Sequence, residues 1–210
     1  MTNTGEPTVF LIDDDPAVRQ SITELTRSLK LPVEVFGSAT DFLKRFGSSR
    51  PGCLVVEVRL PGMSGLELLE KLQRDGVFFA AIVVSADASA PLAVRAMKAG
   101  AITFLEKPCR GQQLWESLQE ALKRDAEQRQ RHNQIARIRR RMEQLSAGES
   151  EVLSLILAGK MNREIAETLN ISVRTVEVRR SMVMEKMKAS SLAELIRAAL
   201  LVEIFLAKQR

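Results

Sequence analysis

TVFLIDDDP, residues 8–16, decides the fold. Five β-prone residues, Thr8 to Ile12, stop at three consecutive carboxylates, Asp13, Asp14 and Asp15. Pro16 suits the first turn of a helix. Val18, Ile22, Leu25 and Leu29 then follow at steps of 3 and 4, the spacing of one apolar helix face. The same strand-then-helix pattern recurs down the chain. Further strands are expected at residues 31–36, 53–58, 79–85 and 101–105. The helices between them carry Phe42, Leu43 and Phe46 behind a Ser38 cap, then Leu66, Leu69 and Leu72 after the Pro61-Gly62 loop. A further helix over residues 92–98 ends at Gly100, and another starts at Gln112. Near-continuous apolar strands alternating with amphipathic helices predict an α/β fold: a five-stranded, doubly wound parallel sheet covered on both faces.

In such sheets function gathers at the carboxyl ends of the strands. Asp13, Asp14 and Asp15 close the first strand, Glu57 lies near the end of the third, Ser85 closes the fourth, and Lys107 follows the fifth. Clustered carboxylates repel one another and call for a cation, and hard oxygen ligands suit Mg²⁺. A hydroxyl and an ammonium beside that cation suit a phosphoryl group.

Composition narrows the classes. The 210 residues are 45% hydrophobic and 27% charged, as in globular domains. No apolar run approaches the ~20 residues that span a bilayer, and the polar stretch from Met1 to Pro7 predicts no signal peptide. One histidine and two distant cysteines, Cys53 and Cys109, argue against a zinc enzyme, a Ser-His hydrolase and a disulfide framework. A cytoplasmic protein is expected. The net charge of +5 is unevenly spread: residues 1–122 carry −2, residues 123–141 carry +6 and residues 142–210 carry +1. The basic stretch fits a polyanion nearby or a solvated linker helix. Its lone histidine, His132, reads as exposed and without a role.

IDDDPAVR, VRLPGMSGLELL and VRAMKAGAITFLEKP, in that order, resemble the receiver domain of bacterial two-component response regulators, over about residues 6–123. The resemblance implies a flavodoxin-like fold. It also implies Mg²⁺ organised by Asp13 and Asp14, a switch hydroxyl at Ser85, a phosphoryl-pairing Lys107 before a cis Pro108, and a switch ring at Phe104. One position departs from the pattern. The family's phosphoacceptor aspartate is Glu57 here, in Glu57-Val58-Arg59-Leu60-Pro61-Gly62. The extra methylene moves the carboxylate by roughly 1.5 Å, and a misplacement of ~1 Å can cost ~100-fold in transfer. Glu57 is therefore expected to resist phosphorylation and to imitate the phosphorylated state in part. Weak Mg²⁺ binding is expected through Asp14, Glu57 and the carbonyl of Arg59, with Asp13 acting through water.

The second half reads as short capped helices. Ser146 and Glu149 form a capping box before Val152, Leu153 and Ile156. Asn162 is expected to cap a second helix, Ser172 a third running to about Lys188, and Ser191 a fourth. Two short helices joined by the turn at Asn170-Ile171 predict a helix-turn-helix. On the third helix Val176, Val183 and Met187 should point inward, while Arg174, Glu177, Val178, Ser181 and Glu185 share another face. Base contacts are expected from Glu177, Val178 and Ser181, and phosphate contacts from Arg179 and Arg180. Arg174 and Thr175, at the start of the helix, complete the expected DNA-binding set.

LSAGESEVLSLILAGKMNREIAETLNISVRTVEVRRSMVMEKM, with SLAELIRAAL behind it, resembles the LuxR-type DNA-binding domain over about residues 145–203. Arg179 stands where that family often has histidine. Receiver plus LuxR-type domain implies a FixJ/NarL-like transcription regulator, not an enzyme. It implies dimers on double-stranded DNA, a cognate histidine kinase and contact with RNA polymerase. The expected division is residues 1–122 for the receiver, 123–144 for a linker helix and 145–210 for the helix-turn-helix domain. Two other classes stay open at this point: an acid-pocket phosphotransferase or phosphatase, and a signalling module that does not bind DNA.

Overall fold

The computed structural model describes residues 5–46 and 50–207. The first residues of the N-terminal stretch read for a leader, and the last three of the expected helix-turn-helix domain, lie outside the described residues. Two compact units divide between Gln130 and Arg131.

The first unit alternates strand and helix: β1 (Thr8–Ile12), α1 (Pro16–Ser28), β2 (Val33–Phe36), α2 (Ala39–Arg45), β3 (Gly52–Glu57), α3 (Gly65–Arg74), β4 (Ala80–Ser85), α4 (Ala90–Lys98), β5 (Ala101–Glu106) and the start of α5 (Gly111–Met142). The strands pair in parallel in the order β2-β1-β3-β4-β5. Alternate strand residues feed opposite faces. Phe10, Ile12, Leu54, Val56 and Val83 pack on one side, where Phe36, Phe42, Phe46 and Phe79 also gather. Val9, Leu11, Val55, Ile82 and Val84 pack on the other, with Leu114, Leu118 and Ala121 of α5.

Element boundaries differ from expectation in small ways. β2 begins at Val33, because Lys30 turns through φ 59° and Leu31 N–H is taken by the Thr26 carbonyl. β3 stops at Glu57; the Val58 carbonyl instead receives the N–H of Gly65.

The stretch expected to link the domains is shared out. In the first unit Asp125 is 4% exposed, and its carboxylate accepts from the Gly52 N–H at 3.0 Å and from Arg129 at 2.7 Å. Arg129 also donates to the Arg50 carbonyl. In the second unit Ile135 and Ile138 are buried in the helical core.

That second core is built by α6 (Ala147–Leu157), α7 (Asn162–Leu169), α8 (Val173–Met187) and α9 (Leu192–Ala207) around Val152, Ile165, Val176, Val183, Met187 and Leu195. The capping box of Ser146 and Glu149 is in place. Asn170, left-handed at φ 50°, closes α7, and Ser172 caps α8. Asn162 does not cap α7. Met161 does, its N–H held by Glu164 at 2.8 Å, and Asn162 becomes the first helical residue. His132 is not a bare surface residue: its ring lies edge-on to Phe205 at 5.3 Å.

Candidate functional site

The sheet order sets β1, β3, β4 and β5 side by side, so their carboxyl ends form one rim. Asp13, Asp14, Asp15, Glu57, Arg59, Ser85, Asp87 and Lys107 line an open cleft of about 450 Å³ there. Each is aimed by local structure. Asp15 caps α1 with a hydrogen bond from Ala17 N–H at 2.8 Å, and Asp13 accepts from Asp15 N–H at 3.0 Å. Gly65 lets α3 start directly against β3, since a Cβ there would sit 2.1 Å from the Glu57 carbonyl oxygen. The Lys107-Pro108 peptide is cis, as the family resemblance implies.

Three side chains meet inside. Lys107 Nζ lies 2.6 Å from Asp13 Oδ2 and 2.6 Å from Glu57 Oε2. Both carboxylates are buried, at 1% and 6% exposure. The second Glu57 oxygen accepts from the Arg59 N–H at 3.1 Å. Burial alone would push the Lys107 ammonium down, but its hydrogen bonds to Asp13 and Glu57 prevail and hold it above the ordinary lysine range.

The other expected residues stand apart from this clamp. Ser85 is buried in the same wall, but its hydroxyl accepts from the Asp87 N–H at 3.3 Å. Arg59 turns its side chain outward to Asp87 at 2.7 Å. Phe104 packs, half-buried, against the first core. Asp14 is exposed. Among the described residues no three acidic, histidine or cysteine side chains gather closely enough to hold a metal ion. The residues present therefore do not form a ready Mg²⁺ site: Lys107 stands between the two buried carboxylates, where the sequence led us to expect a divalent ion.

In the second unit, α8 divides as its spacing predicts. Val176, Val183 and Met187 are buried. Arg174, Glu177, Val178, Ser181 and Glu185 are exposed, Val178 at 52%. Thr175 is half-buried, and its hydroxyl meets that of Ser172 at 2.8 Å. Arg179 and Arg180 are half-buried between the two faces, and Arg180 donates to Asn162 Oδ1 at 3.0 Å. Lys186 pairs with Glu149 at 2.6 Å, and Arg141 donates to the Met187 carbonyl at 3.1 Å, both fixing the C-terminal end of α8. Sequence reasoning missed Asn162 and Gly148 as partners of the α8 arginines, and Asp87 as the partner of Arg59.

Comparison with known proteins agrees with both halves. The response regulator receiver domain matches residues 9–119, and the luxR family of bacterial regulatory proteins matches residues 143–199. The chain belongs to the response regulators. It is 45% identical to the transcriptional regulatory protein FixJ of Azorhizobium caulinodans, over 92% of each chain. It is 40% identical to the response regulator protein TmoT of Ectopseudomonas mendocina, over 93% of this chain and 89% of that one. Among solved structures, the response regulator StyR covers 93% of this chain at 39% identity and a TM-score of 0.82. This response regulator is a DNA-binding transcriptional regulator of the two-component class. Its receiver implies a histidine kinase as partner, and its FixJ relatives are transcriptional regulatory proteins. Receiver domains bind Mg²⁺ at the phosphorylation site. No helix among the described residues is long and apolar enough to cross a membrane.

Proposed function

We propose that this regulator works from a receiver held largely in one state by its own side chains, rather than from one switched by phosphoryl transfer to Glu57. The observation that carries this reading is the placement of Lys107 at 2.6 Å from both Glu57 and Asp13. A nucleophile needs an oxygen lone pair aimed in line at the incoming phosphorus, and partners that hold the carboxylate in another direction oppose that. Both Glu57 oxygens are already engaged, one by Lys107 and one by the Arg59 N–H. The same engagement counts against a phosphotransferase or phosphatase, which needs that nucleophile, and the reading is of a non-enzymatic protein.

Glu57 supplies about one negative charge where a phosphoryl group would add about −1.5 to −2. The imitation is therefore partial. Ser85 and Phe104 are the switch positions that respond to that charge, and the Ser85 hydroxyl already accepts from the Asp87 N–H. Asp14, Glu57 and the Arg59 carbonyl would hold Mg²⁺ only weakly, with Asp13 acting through water, because Lys107 already occupies the Asp13 and Glu57 carboxylates.

The output is a cytoplasmic homodimer on double-stranded DNA, with RNA polymerase as the downstream partner. The working division is residues 1–122, 123–144 and 145–210. Glu177, Val178 and Ser181 read bases, Arg179 and Arg180 hold the backbone, and Arg174 and Thr175 complete the contact set. The test is DNA binding with and without a small phosphodonor, for this chain and for Glu57→Asp. The reading requires a donor response from Glu57→Asp and none from the unchanged chain. An equal response from both refutes it.

A further inference from the structure

The two arginines on the flank of α8 are each met by a residue of another helix. Arg180 donates to the side-chain oxygen of Asn162, the first residue of α7, at 3.0 Å. The guanidinium of Arg179 lies over Gly148, in the first turn of α6, so closely that a Cβ on Gly148 would sit 2.6 Å from its Cζ. Neither partner is charged. The contrast within the same helix is informative: Lys186 is paired with Glu149 at 2.6 Å, and Arg174 faces Glu177 at 3.8 Å. Among the described residues no carboxylate pairs with Arg179 or Arg180. Arg180 is tethered by a hydrogen bond and Arg179 is packed against the Gly148 backbone, while the charge of both is left whole.

That combination suits one class of ligand. A long side chain recruited to a phosphate loses rotamer freedom on binding. One that is already held has lost it beforehand, and a neutral holder does not compete with the anion. A carboxylate in the same place would hold the arginine equally well and cancel it. We propose that Asn162 and Gly148 are positioning residues that present Arg180 and Arg179 to the DNA backbone. This rests on the reading of α8 as the DNA-contacting helix.

The experiment uses the full chain and duplex DNA of arbitrary sequence, because a phosphate contact acts on all sequences alike. Binding is followed across a salt series for Asn162→Ala, Asn162→Asp, Gly148→Ala, Arg179→Ala, Arg180→Ala and the pairs N162A/R180A and G148A/R179A. Asn162→Ala is expected to weaken binding on the order of threefold and to lower the salt slope by up to about one. N162A/R180A should bind no more weakly than Arg180→Ala alone. Asn162→Asp should weaken binding further than Asn162→Ala, although it keeps the tether.

Gly148→Ala is the cleaner probe. It raises helix propensity and meets only the movable end of a side chain. It should keep or raise the melting temperature while weakening binding about threefold, and G148A/R179A should bind no more weakly than Arg179→Ala alone. Loss of binding in the arginine variants, with none in Asn162→Ala and Gly148→Ala, overturns the inference alone, as does simple additivity in both pairs. Unchanged binding in Arg179→Ala and Arg180→Ala overturns it together with the reading on which it rests.

Discussion

Lys107 Nζ sits 2.6 Å from Glu57 Oε2, closing the gap between β5 and β3 with a direct ion pair. The longer glutamate side chain reaches the lysine and leaves no room between them. The positive charge that an acidic rim requires thus comes from the chain itself, and Asp13 shares it from β1 at 2.6 Å.

Mg²⁺ should therefore bind weakly, and Lys107 should oppose it. Replacing Lys107 by Met frees two buried carboxylates whose mutual repulsion a divalent ion relieves. Calorimetric titration is expected to show tighter Mg²⁺ binding in Lys107→Met than in the unchanged chain, and weaker binding in Asp14→Ala. Equal affinity in all three contradicts the competition.

On α8, Arg180→Ala and Ser181→Ala should differ in kind. Loss of Arg180 removes a backbone contact, so all sequences weaken alike and the salt slope falls by about one. Loss of Ser181 removes a base contact, costing about 1–3 kcal/mol at selected base pairs. Binding to a selected and a scrambled duplex across salt separates them. Reversed behaviour would show that the two faces are misassigned.

Asp125 carries a stability prediction. Its carboxylate is buried, receives the Gly52 N–H and pairs with Arg129. Asp125→Ala takes the acceptor from a buried N–H and removes one partner of a half-buried guanidinium, at a cost of about 2–4 kcal/mol. Urea unfolding of the full chain should show the loss in the receiver transition. A variant as stable as the parent would mean that water replaces the carboxylate.

Acid should act on the helical unit through Glu149. Its side chain receives Lys186 and the Ser146 N–H, which hold its carboxyl below the ordinary glutamate range. A lowered folded-state pKa contributes stability that is present above the unfolded value of 4.5 and is lost as pH falls through the folded value. Thermal melts from pH 7 downward should show this loss below about pH 4.5, and Glu149→Gln should reduce the slope there. An identical slope in both proteins would exclude Glu149 as a source.

Much of this was legible in the sequence, for a physical reason. Parallel strands covered on both faces are continuous apolar runs, so Thr8–Ile12 and Ala80–Ser85 announce themselves, and the residues that end them must share a rim. Tertiary burial inside a charged stretch announces itself poorly. Asp125 lies among residues that read as solvated, yet Leu114, Leu118, Ala121 and Asp125 continue one helical stripe at steps of 4, 3 and 4. That stripe was the available signal. Asn162 was misread because its residue type favours caps, while the backbone placed the cap at Met161 and released the amide for Arg180. One extra methylene lets Glu57 reach toward Lys107, and that much was legible; that the same ammonium would also meet Asp13 was not, since sequence gives strand ends and not the placement of a second partner.

Intact-mass measurement decides whether Glu57 accepts a phosphoryl group. The full chain and Glu57→Asp are incubated side by side with Mg²⁺ and a small phosphodonor, then weighed. Glu57→Asp is expected to gain the mass of one phosphoryl group, and the unchanged chain to gain none. Stoichiometric phosphorylation of the unchanged chain at Glu57 would contradict it.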